Sequence, residues 1–535
     1  MSSVKIVFIA VVLDVFFVFA SVSHAAVINA ASPSYSDVSA AISSASSGDT
    51  VIVPAGNATW TSRLLISKRL ALRGAGAGKT VITSNYPSIS GNTFDQGNYL
   101  IDCVFTDGSS ALFQISGFTF DFNNNCGGIY LSSCDKVRID HNELKNATSA
   151  KYTARAIIIC GTVYGVIDNN VFSGNADNIA CYGDGLNSWN NSTFAFGTAD
   201  NLYIEDNTFY LTNTGGSGGN GSRYCARYNT YIYNNTVGLF PWFDMHGNMG
   251  VGGNYSMMGA EIYGNLLTMP VNHNVGIFDQ RGGKAMIFNN EVVTTASCSS
   301  KAREEYNDSL NPTNYGSGAA DGEPQHVSDS YYWNNRQNSN LVLAGAENTT
   351  GVAYPLTENV DFFNQAVNFA GTTGIGVGPL SARPVNCTPG TGYWATDQST
   401  TDLTGMVGAH PATPITGTFY KCTAPNIWTE YYKPFPYPHP LRGIIPDLFT
   451  KYDHDAGWVL DTGKYTYLNK SSLNIETKIL NVEQDGTISL ISEPSKDLVE
   501  TTEGSYYWDP STGKLYMHCS TGANPGNHLI VVNYQ

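Results

Sequence analysis

The sequence predicts an all-β solenoid in which successive coils stack strand on strand. A strand-like phrase recurs, with an aliphatic residue three positions before an asparagine and an apolar residue two positions after it. The asparagines are Asn142, Asn170, Asn207, Asn235, Asn265 and Asn290, separated by 28, 37, 28, 30 and 25 residues. A repeat of roughly 20–50 residues is typical of solenoids. A sandwich or propeller would show hairpin turns every ~8–12 residues, and the sequence shows no such regular spacing.

Composition agrees with this interpretation. A chain of 535 residues is too long for one ordinary core, whereas a solenoid grows by adding coils. With 54 glycines, 32 tyrosines and only 13% charged residues, the chain suits turn-rich β structure and neither disorder nor a coiled coil. We expect each repeated asparagine to occupy a corner, to tolerate a left-handed φ and to hydrogen-bond the asparagine of the next coil.

The N-terminus predicts export. Lys5 precedes an apolar run from Ile6 to Ala20, interrupted by Asp14, and Ser23-His24-Ala25 offers small residues for cleavage. The run is shorter than the roughly 20 residues that span a bilayer. Residues 1–25 are therefore predicted to be a signal peptide. The mature protein is expected to be secreted, extracellular or at the cell surface, monomeric and not inserted in a membrane.

All ten cysteines follow this signal, and an even number in an exported chain permits disulfides. Cys103 and Cys126 are about one coil apart and could pair on neighbouring turns. Cys387 and Cys422 flank a compact segment and could pair as well. Because the sequence has no Cys-x-x-Cys, a zinc knuckle is not expected.

The chain after the signal opens with a short predicted helix that starts at Ser34-Tyr35-Ser36-Asp37 and ends near Gly48. The strand Thr50–Val53 and the phrase Leu70-Ala71-Leu72-Arg73-Gly74 follow. This order resembles the first coil of right-handed parallel β-helix proteins of the pectate-lyase-like superfamily, of the secreted bacterial type. There the helix caps the open end of the solenoid. The resemblance is specific for fold but not for reaction, because lyases, hydrolases, epimerases and adhesins share it.

Domain boundaries follow from where the repeat stops. Residues 26–345 are predicted to form the β-helix, and 346–452 an aromatic, proline-rich closing segment packed on it. Residues 453–535 contain short strand-like runs joined by Gly, Asp and Pro turns. They are predicted to form a small antiparallel, sandwich-like accessory domain.

The candidate chemistry lies in a second repeated phrase. Phe243-Asp244-Met245-His246-Gly247 is echoed 35 residues later by Phe278-Asp279-Gln280-Arg281-Gly282. Residues two apart in a strand share a face, and stacked strands lie about 4.8 Å apart. On neighbouring coils, Asp244 would lie over Asp279 and His246 over Arg281. We predict these four as catalytic residues, and the two carboxylates as ligands for a possible Ca²⁺.

Arg223, Arg227, Lys284 and Trp242 are predicted to bind substrate near this cluster. The register requires ten extra residues to loop out, and the glycine-rich segment 247–254 is where we place them. A simpler interpretation is that Asp and Arg only pair on the surface while His246 fills a polar ladder.

Function follows as an expectation. The resemblance and the cluster favour a polysaccharide lyase that cleaves a uronic-acid polymer by β-elimination. Two alternatives stay open: a glycoside hydrolase using the paired Asp residues, and a non-catalytic carbohydrate-binding or adhesion scaffold. The net charge of −16 and the lack of a basic stripe argue against nucleic-acid binding.

Overall fold

The computed structural model describes most of the chain between residues 25 and 443, and short strands beyond it. The described ranges are 25–151, 153–183, 194–212, 216–219, 222–233, 242–246, 256–269, 275–294, 297–303, 326–347, 355–398, 408–411 and 417–443, followed by strands between 458 and 534. Residues 1–24 of the predicted signal peptide, Asn235 and the predicted loop 247–254 lie outside these ranges. None of the helices in the described ranges is long and apolar enough to cross a bilayer.

A helix closes the N-terminal end of the molecule, as predicted. It spans Tyr35–Ser44, and the hydroxyl of Ser34 caps it by accepting a hydrogen bond from the backbone nitrogen of Asp37 at 3.2 Å. The helix buries Val38, Ala41 and Ile42 against the first coil. The apolar spacing that predicts the helix therefore also fixes the face that covers the open strand edges.

Three rows of stacked parallel strands form the solenoid. Two long strands, Gly127–Asp140 and Arg155–Asp168, belong to both row one and row two. Row one also contains Leu64–Ile66, Tyr99–Cys103, Asp177–Tyr182, Gly216–Gly219, Phe243–Met245, Val275–Gln280, Cys298–Ala302 and Ala344–Ala346. Row two also contains Val27–Asn29, Thr50–Ile52, Ala71–Arg73, Phe113–Ser116, Leu202–Glu205, Arg223–Arg227, Gly259–Tyr263, Lys284–Phe288, Ser330–Trp333 and Phe362–Asn364.

Row three follows row two in each coil. It contains Gly56–Trp60, Thr80–Ser84, Thr119–Asp121, Glu143–Lys145, Val171–Ser173, Thr208–Leu211, Thr230–Tyr233, Leu266–Thr268, Glu291–Val293, Arg336–Gln337 and Asn340–Leu341. Only the last described pair in this row is antiparallel. Similar side chains stack inside: the rings of Phe172, Phe209 and Tyr231 lie 4.6 Å apart in succession. This is the predicted right-handed parallel β-helix.

An asparagine ladder runs along the corner between rows two and three. From the second asparagine onward, each Oδ1 accepts hydrogen bonds from the backbone nitrogen and the Nδ2 of the preceding asparagine, while the first, Asn142, accepts from the backbone nitrogen of Phe118. The ladder residues are Asn142, Asn170, Asn207, Asn229, Asn265, Asn290 and Asn335. All seven are buried. The ladder therefore satisfies polar groups that water cannot reach.

Two details of the predicted ladder were wrong. Asn207 bonds directly to Asn229, and Asn229 to Asn265, so Asn229 occupies the place that the repeat assigned to Asn235. The left-handed residue is also not the ladder asparagine but the residue before it, such as His141 (φ 53°) or Tyr228 (φ 55°). The left-handed turn is thus made one position before the ladder asparagine.

The cysteine predictions have mixed outcomes. Cys387 and Cys422 form the predicted disulfide. Cys103 and Cys126 are both buried and free, so the predicted pairing between them was wrong. Cys126 instead lies 3.2 Å from the hydroxyl of Ser84. Spacing by one coil is not sufficient for a disulfide, since the two side chains must also point at each other.

The segment after the solenoid lies against row two. Its described elements are the strands Ile375–Gly378, Gly392–Ala395, Thr418–Ala424 and Ile427–Tyr432, and short 3₁₀ turns at Leu380–Ala382, Thr396–Gln398 and Pro440–Gly443. A further 3₁₀ turn, Gln96–Asn98, lies within the solenoid. The Trp394 ring packs against the stacked pair of Phe288 and Trp333 in row two, with centroid distances of 5.2 and 5.3 Å.

An ionic network joins this segment to the buried outer face of row two. Arg442 contacts Asp168 at 3.3 Å, Glu205 at 2.9 Å and Asp206 at 2.6 Å. Burial alone would raise the pKa of Glu205, but Arg227 and then Arg442 outweigh it and lower that pKa to about 2. The Glu205 carboxylate therefore stays ionised at neutral pH inside the interface.

Beyond residue 457 the described strands form two further sheets. Trp458–Leu460, Tyr467–Asn469, Lys514–His518, Ser505–Asp509 and Ile491–Ser492 form one, in that order. Ile488–Ser489, Ile479–Gln484 and Ile530–Tyr534 form the other. Except between Ile491–Ser492 and Ser505–Asp509, the pairings are antiparallel.

Candidate functional site

The two Phe-Asp-x-basic-Gly phrases lie side by side on neighbouring strands of row one. Phe243 pairs with Phe278 and Asp244 with Asp279, in the predicted register. Phe243, Met245 and Phe278 are buried in the core. Because strand side chains alternate, both aspartates point to the outer face.

His246 and Arg281 both contact the carboxylate of Asp244. His246 Nε2 lies 2.9 Å from Asp244 Oδ2, and an Arg281 nitrogen donates to the other oxygen of Asp244. Arg281 Nε also lies 3.8 Å from Asp279 Oδ2. The structure thus brings together the four residues predicted as catalytic, and we call them the row-one cluster.

Asp244 is ionised at neutral pH. Burial would raise its pKa, but the hydrogen bond and charge of His246, followed by those of Arg281, outweigh burial and lower the pKa. Its side chain is 13% exposed, so solvent screens these contacts only partly. Asp244 is therefore a poor proton donor and a good anchor for the imidazole of His246.

Sequence reasoning missed two basic residues on the next strand. Lys301 is in register with Asp279, and Arg303 follows Lys301 by two positions. Arg303 holds Asp279 through Nε at 2.8 Å and Nη2 at 2.5 Å, and Lys301 contacts Glu347 at 2.8 Å. An alignment of the segment Lys301-Ala302-Arg303 with Asp279-Gln280-Arg281 of the preceding coil would have revealed both basic residues. The cluster therefore spans three adjacent strands.

Two of the predicted substrate-binding residues lie elsewhere. Arg227 is fully buried on row two, where it donates to Glu205 at 2.8 Å and to the carbonyls of Phe435 and Pro436. Trp242 is 2% exposed and packs against core rings such as Phe278. The structure does not bring either side chain to the outer face of row one.

Lys284 and Arg223 both begin row-two strands. Lys284 pairs with Asp329 at 3.1 Å, and Asp329 is shared with Lys421 of the closing segment. Arg223 lies at the corner between rows one and two, where it contacts Tyr164. Lys284 follows Arg281 by three residues in the same coil, whereas Arg223 lies in the coil before the one that carries Asp244.

The carboxylates of the cluster do not suit Ca²⁺. Calcium takes about six to eight oxygen ligands, whereas the oxygens of Asp244 and Asp279 are already bound by His246, Arg281 and Arg303. Within the described ranges, no group of three or more His, Cys, Asp or Glu side chains is arranged to hold a metal ion. No catalytic step is therefore assigned to a metal ion.

Comparison with known proteins adds little. No family model matches the chain, and no curated protein sequence matches it. A similar solved structure is the catalytic unit of a thermostable GH87 alpha-1,3-glucanase from Streptomyces thermodiastaticus strain HF3-3. It is 16% identical over 66% of this chain, with a TM-score of 0.35, and the similarity spans 62% of that protein's length. A likeness this distant carries no argument about activity.

Proposed function

We propose that the row-one cluster is the active site of a polysaccharide lyase that cleaves a uronic-acid polymer by β-elimination. The supporting observation is a strip of basic groups on adjacent strands, His246, Arg281 and Arg303, each braced by a carboxylate. β-Elimination requires neutralisation of the uronate carboxylate, which acidifies the proton on C5, and a base that removes this proton. Both requirements are served by groups of this strip.

Arg303 is suited to neutralise the uronate carboxylate. Asp279 engages its Nε and Nη2, which leaves Nη1 as a donor, and the side chain is 33% exposed. A guanidinium binds a carboxylate through parallel N–H donors. Bracing by Asp279 fixes the orientation of that donor edge before the polymer arrives.

His246 is proposed as the base. An imidazole titrates near neutral pH, and the Asp244 carboxylate at 2.9 Å would stabilise the imidazolium formed by proton transfer. In the structure Nε2 faces Asp244 and Nδ1 is buried. The proposal therefore requires His246 to present a ring nitrogen when the polymer binds, a rearrangement that many free enzymes need.

Hydrolysis is the second candidate, favoured by the register that sets Asp244 beside Asp279. Strands about 4.8 Å apart suit a retaining glycosidase, whose carboxyl groups are about 5–5.5 Å apart. Such an enzyme needs one protonated carboxyl group as its acid. The lowered pKa of Asp244 and the two-point contact of Arg303 with Asp279 argue against this role.

Export and membership of the pectate-lyase-like superfamily form part of the proposal. The apolar N-terminal run followed by small residues supports secretion. The Cys387–Cys422 disulfide is consistent with an oxidising compartment. The capping helix and first coil support the superfamily assignment.

A panel of polysaccharides tests the reaction, with ultraviolet absorbance for the unsaturated product of elimination and an assay of new reducing ends for hydrolysis. His246→Ala and Arg281→Ala are expected to abolish elimination while circular dichroism stays unchanged. Arg336→Gln removes the same charge as Arg281→Ala, but from row three, and should keep full activity. Binding without turnover by the wild-type protein would instead indicate a non-catalytic scaffold.

A further inference from the structure

A small pocket lies at the corner where row one turns into row two. Its walls come from three successive coils and include Thr162, Tyr164, Tyr182, Ser222 and Arg223. Its volume is about 20 Å³, and one water needs about 10–15 Å³. The pocket therefore admits a small polar group, such as a carboxylate, but not a sugar ring.

Arg223 brings a positive charge to this pocket without a carboxylate partner. The residue is 8% exposed, its Nη2 donates to the Tyr164 hydroxyl at 2.5 Å, and its guanidinium carbon lies 5.0 Å from that ring. No acidic side chain within the described ranges lies in ion-pairing distance of it. Tyr164 uses one of the five N–H donors of a guanidinium. Buried charges are normally paired, so the remaining donors are available to an anion.

Ser222 supplies a second and independent observation. The residue is 6% exposed, and its Oγ is buried with no hydrogen-bond partner among the described residues. Most buried hydroxyl groups are satisfied. Ser222 lines the same pocket as Arg223, so both residues border the space in which an anion would bind.

The pocket adjoins the row-one cluster. His246 donates its backbone N–H to the carbonyl of Gly218, and Ser222 donates its own to the carbonyl of Gly219. Ser217 pairs with both Ala180 and Asp244, so the strand that carries Tyr182 lies two strands from Asp244. Two strand spacings amount to about 10 Å, which is a distance that neighbouring units of one polymer can bridge.

The geometry points to a carboxylate subsite in this pocket. Arg223 and Ser222 would bind the carboxylate of a uronosyl unit next to the one that is cleaved, while its ring stays outside the pocket. This inference rests on the proposed function for its choice of substrate, although the binding itself needs no turnover. It makes the enzyme selective for polymers with acidic groups on neighbouring units.

Calorimetric titration with uronate trimers and their neutral methyl esters tests the subsite. A His246→Ala background keeps the trimers intact, and each further variant is compared with it. Arg223→Gln should weaken binding of the acid trimer roughly 10- to 100-fold, and leave the ester unaffected. Ser222→Ala removes only a hydroxyl and should weaken the same binding roughly 2- to 10-fold. Arg336→Gln controls for the loss of one positive charge.

Each outcome decides between the two proposals. Equal weakening by Arg223→Gln and Arg336→Gln, or equal loss of acid and ester binding, would overturn the subsite. An unchanged affinity in folded Arg223→Gln and Ser222→Ala proteins would do the same, even if the wild-type enzyme cleaves polyuronate. Arg223-dependent binding of the acid trimer by a protein that cleaves no polymer would retain the subsite and refute the lyase.

Discussion

Replacing Arg442 by alanine is expected to destabilise the protein by about 3–5 kcal/mol, the cost of removing one partner of a buried ion pair. Arg442 is 16% exposed and contacts three carboxylates, Asp168, Glu205 and Asp206, none of which is exposed. Arg227 still compensates Glu205 after the change, at 2.6 Å. The other two carboxylates determine whether the cost reaches the upper end of the range.

Asp168 keeps Arg138, which holds it through two nitrogens at 3.0 Å each. Asp206 keeps the one proton of the Tyr437 hydroxyl, which lies 2.8 and 3.0 Å from its two oxygens, and the backbone N–H of His410 at 2.7 Å, but it loses its close cation. The uncompensated charge of Asp206 is therefore the main source of the loss. Because only one carboxylate is left uncompensated, the expected destabilisation lies near the lower end of the range, at about 3 kcal/mol.

Urea unfolding followed by tryptophan fluorescence measures this loss. Lys433→Ala is the matched control in the same segment, because its pair with Glu430 is exposed on both sides, at 57% and 53%. The control should leave the free energy of unfolding nearly unchanged. Equal midpoints and slopes for Arg442→Ala and Lys433→Ala would refute the assignment of the network as the attachment of the closing segment.

Stability and activity should also respond to changes at four other places in the molecule. Burial lowers the pKa of His439 from 6.5 to about 4. As the pH is lowered, the unfolded chain therefore binds a proton at this histidine before the folded protein does. The free energy of unfolding should fall by about 3 kcal/mol as the pH drops from 6.5 to 4, and by less in His439→Gln. Asn229→Ala should cost about 2–3 kcal/mol in urea unfolding, because it leaves ladder donors unsatisfied, whereas exposed Asn57→Ala should cost little. Reduction of the disulfide between Cys387 and Cys422, which are 35 residues apart in the sequence, should lower the free energy of unfolding by about 4 kcal/mol, measured by the same urea unfolding. Chelation by EDTA should leave the initial rate of cleavage unchanged, since His246, Arg281 and Arg303 occupy the oxygens of Asp244 and Asp279. A loss of rate that calcium restores would contradict this.

The repeat in the sequence was sufficient to predict the solenoid, because coil spacing and strand alternation are local properties. It was not sufficient to place every corner. Asn207, Asn229 and Asn265 are separated by 22 and 36 residues, whereas substituting Asn235 gives the more regular 28 and 30. Loop insertions change the spacing without moving the corner, so the regular pattern pointed to the wrong residue.

The site was predictable to the extent that it lies on adjacent strands. Asp244 and Asp279 meet because one phrase repeats in register, which the sequence shows directly. Arg227 was misplaced because its partners include the carbonyls of residues more than 200 positions later in the chain. Contacts with the closing segment depend on tertiary packing, and no local pattern around Arg227 encodes them.

The ratio of unsaturated chain ends to new reducing ends, measured on one uronic-acid polymer, shows whether the protein cleaves by β-elimination. Elimination creates one unsaturated end with each new reducing end, so this reaction predicts equal numbers for the wild-type protein and neither product for His246→Ala. New reducing ends without unsaturation, still formed by His246→Ala but lost in Asp244→Asn and Asp279→Asn, would contradict it and establish hydrolysis by the aspartate pair.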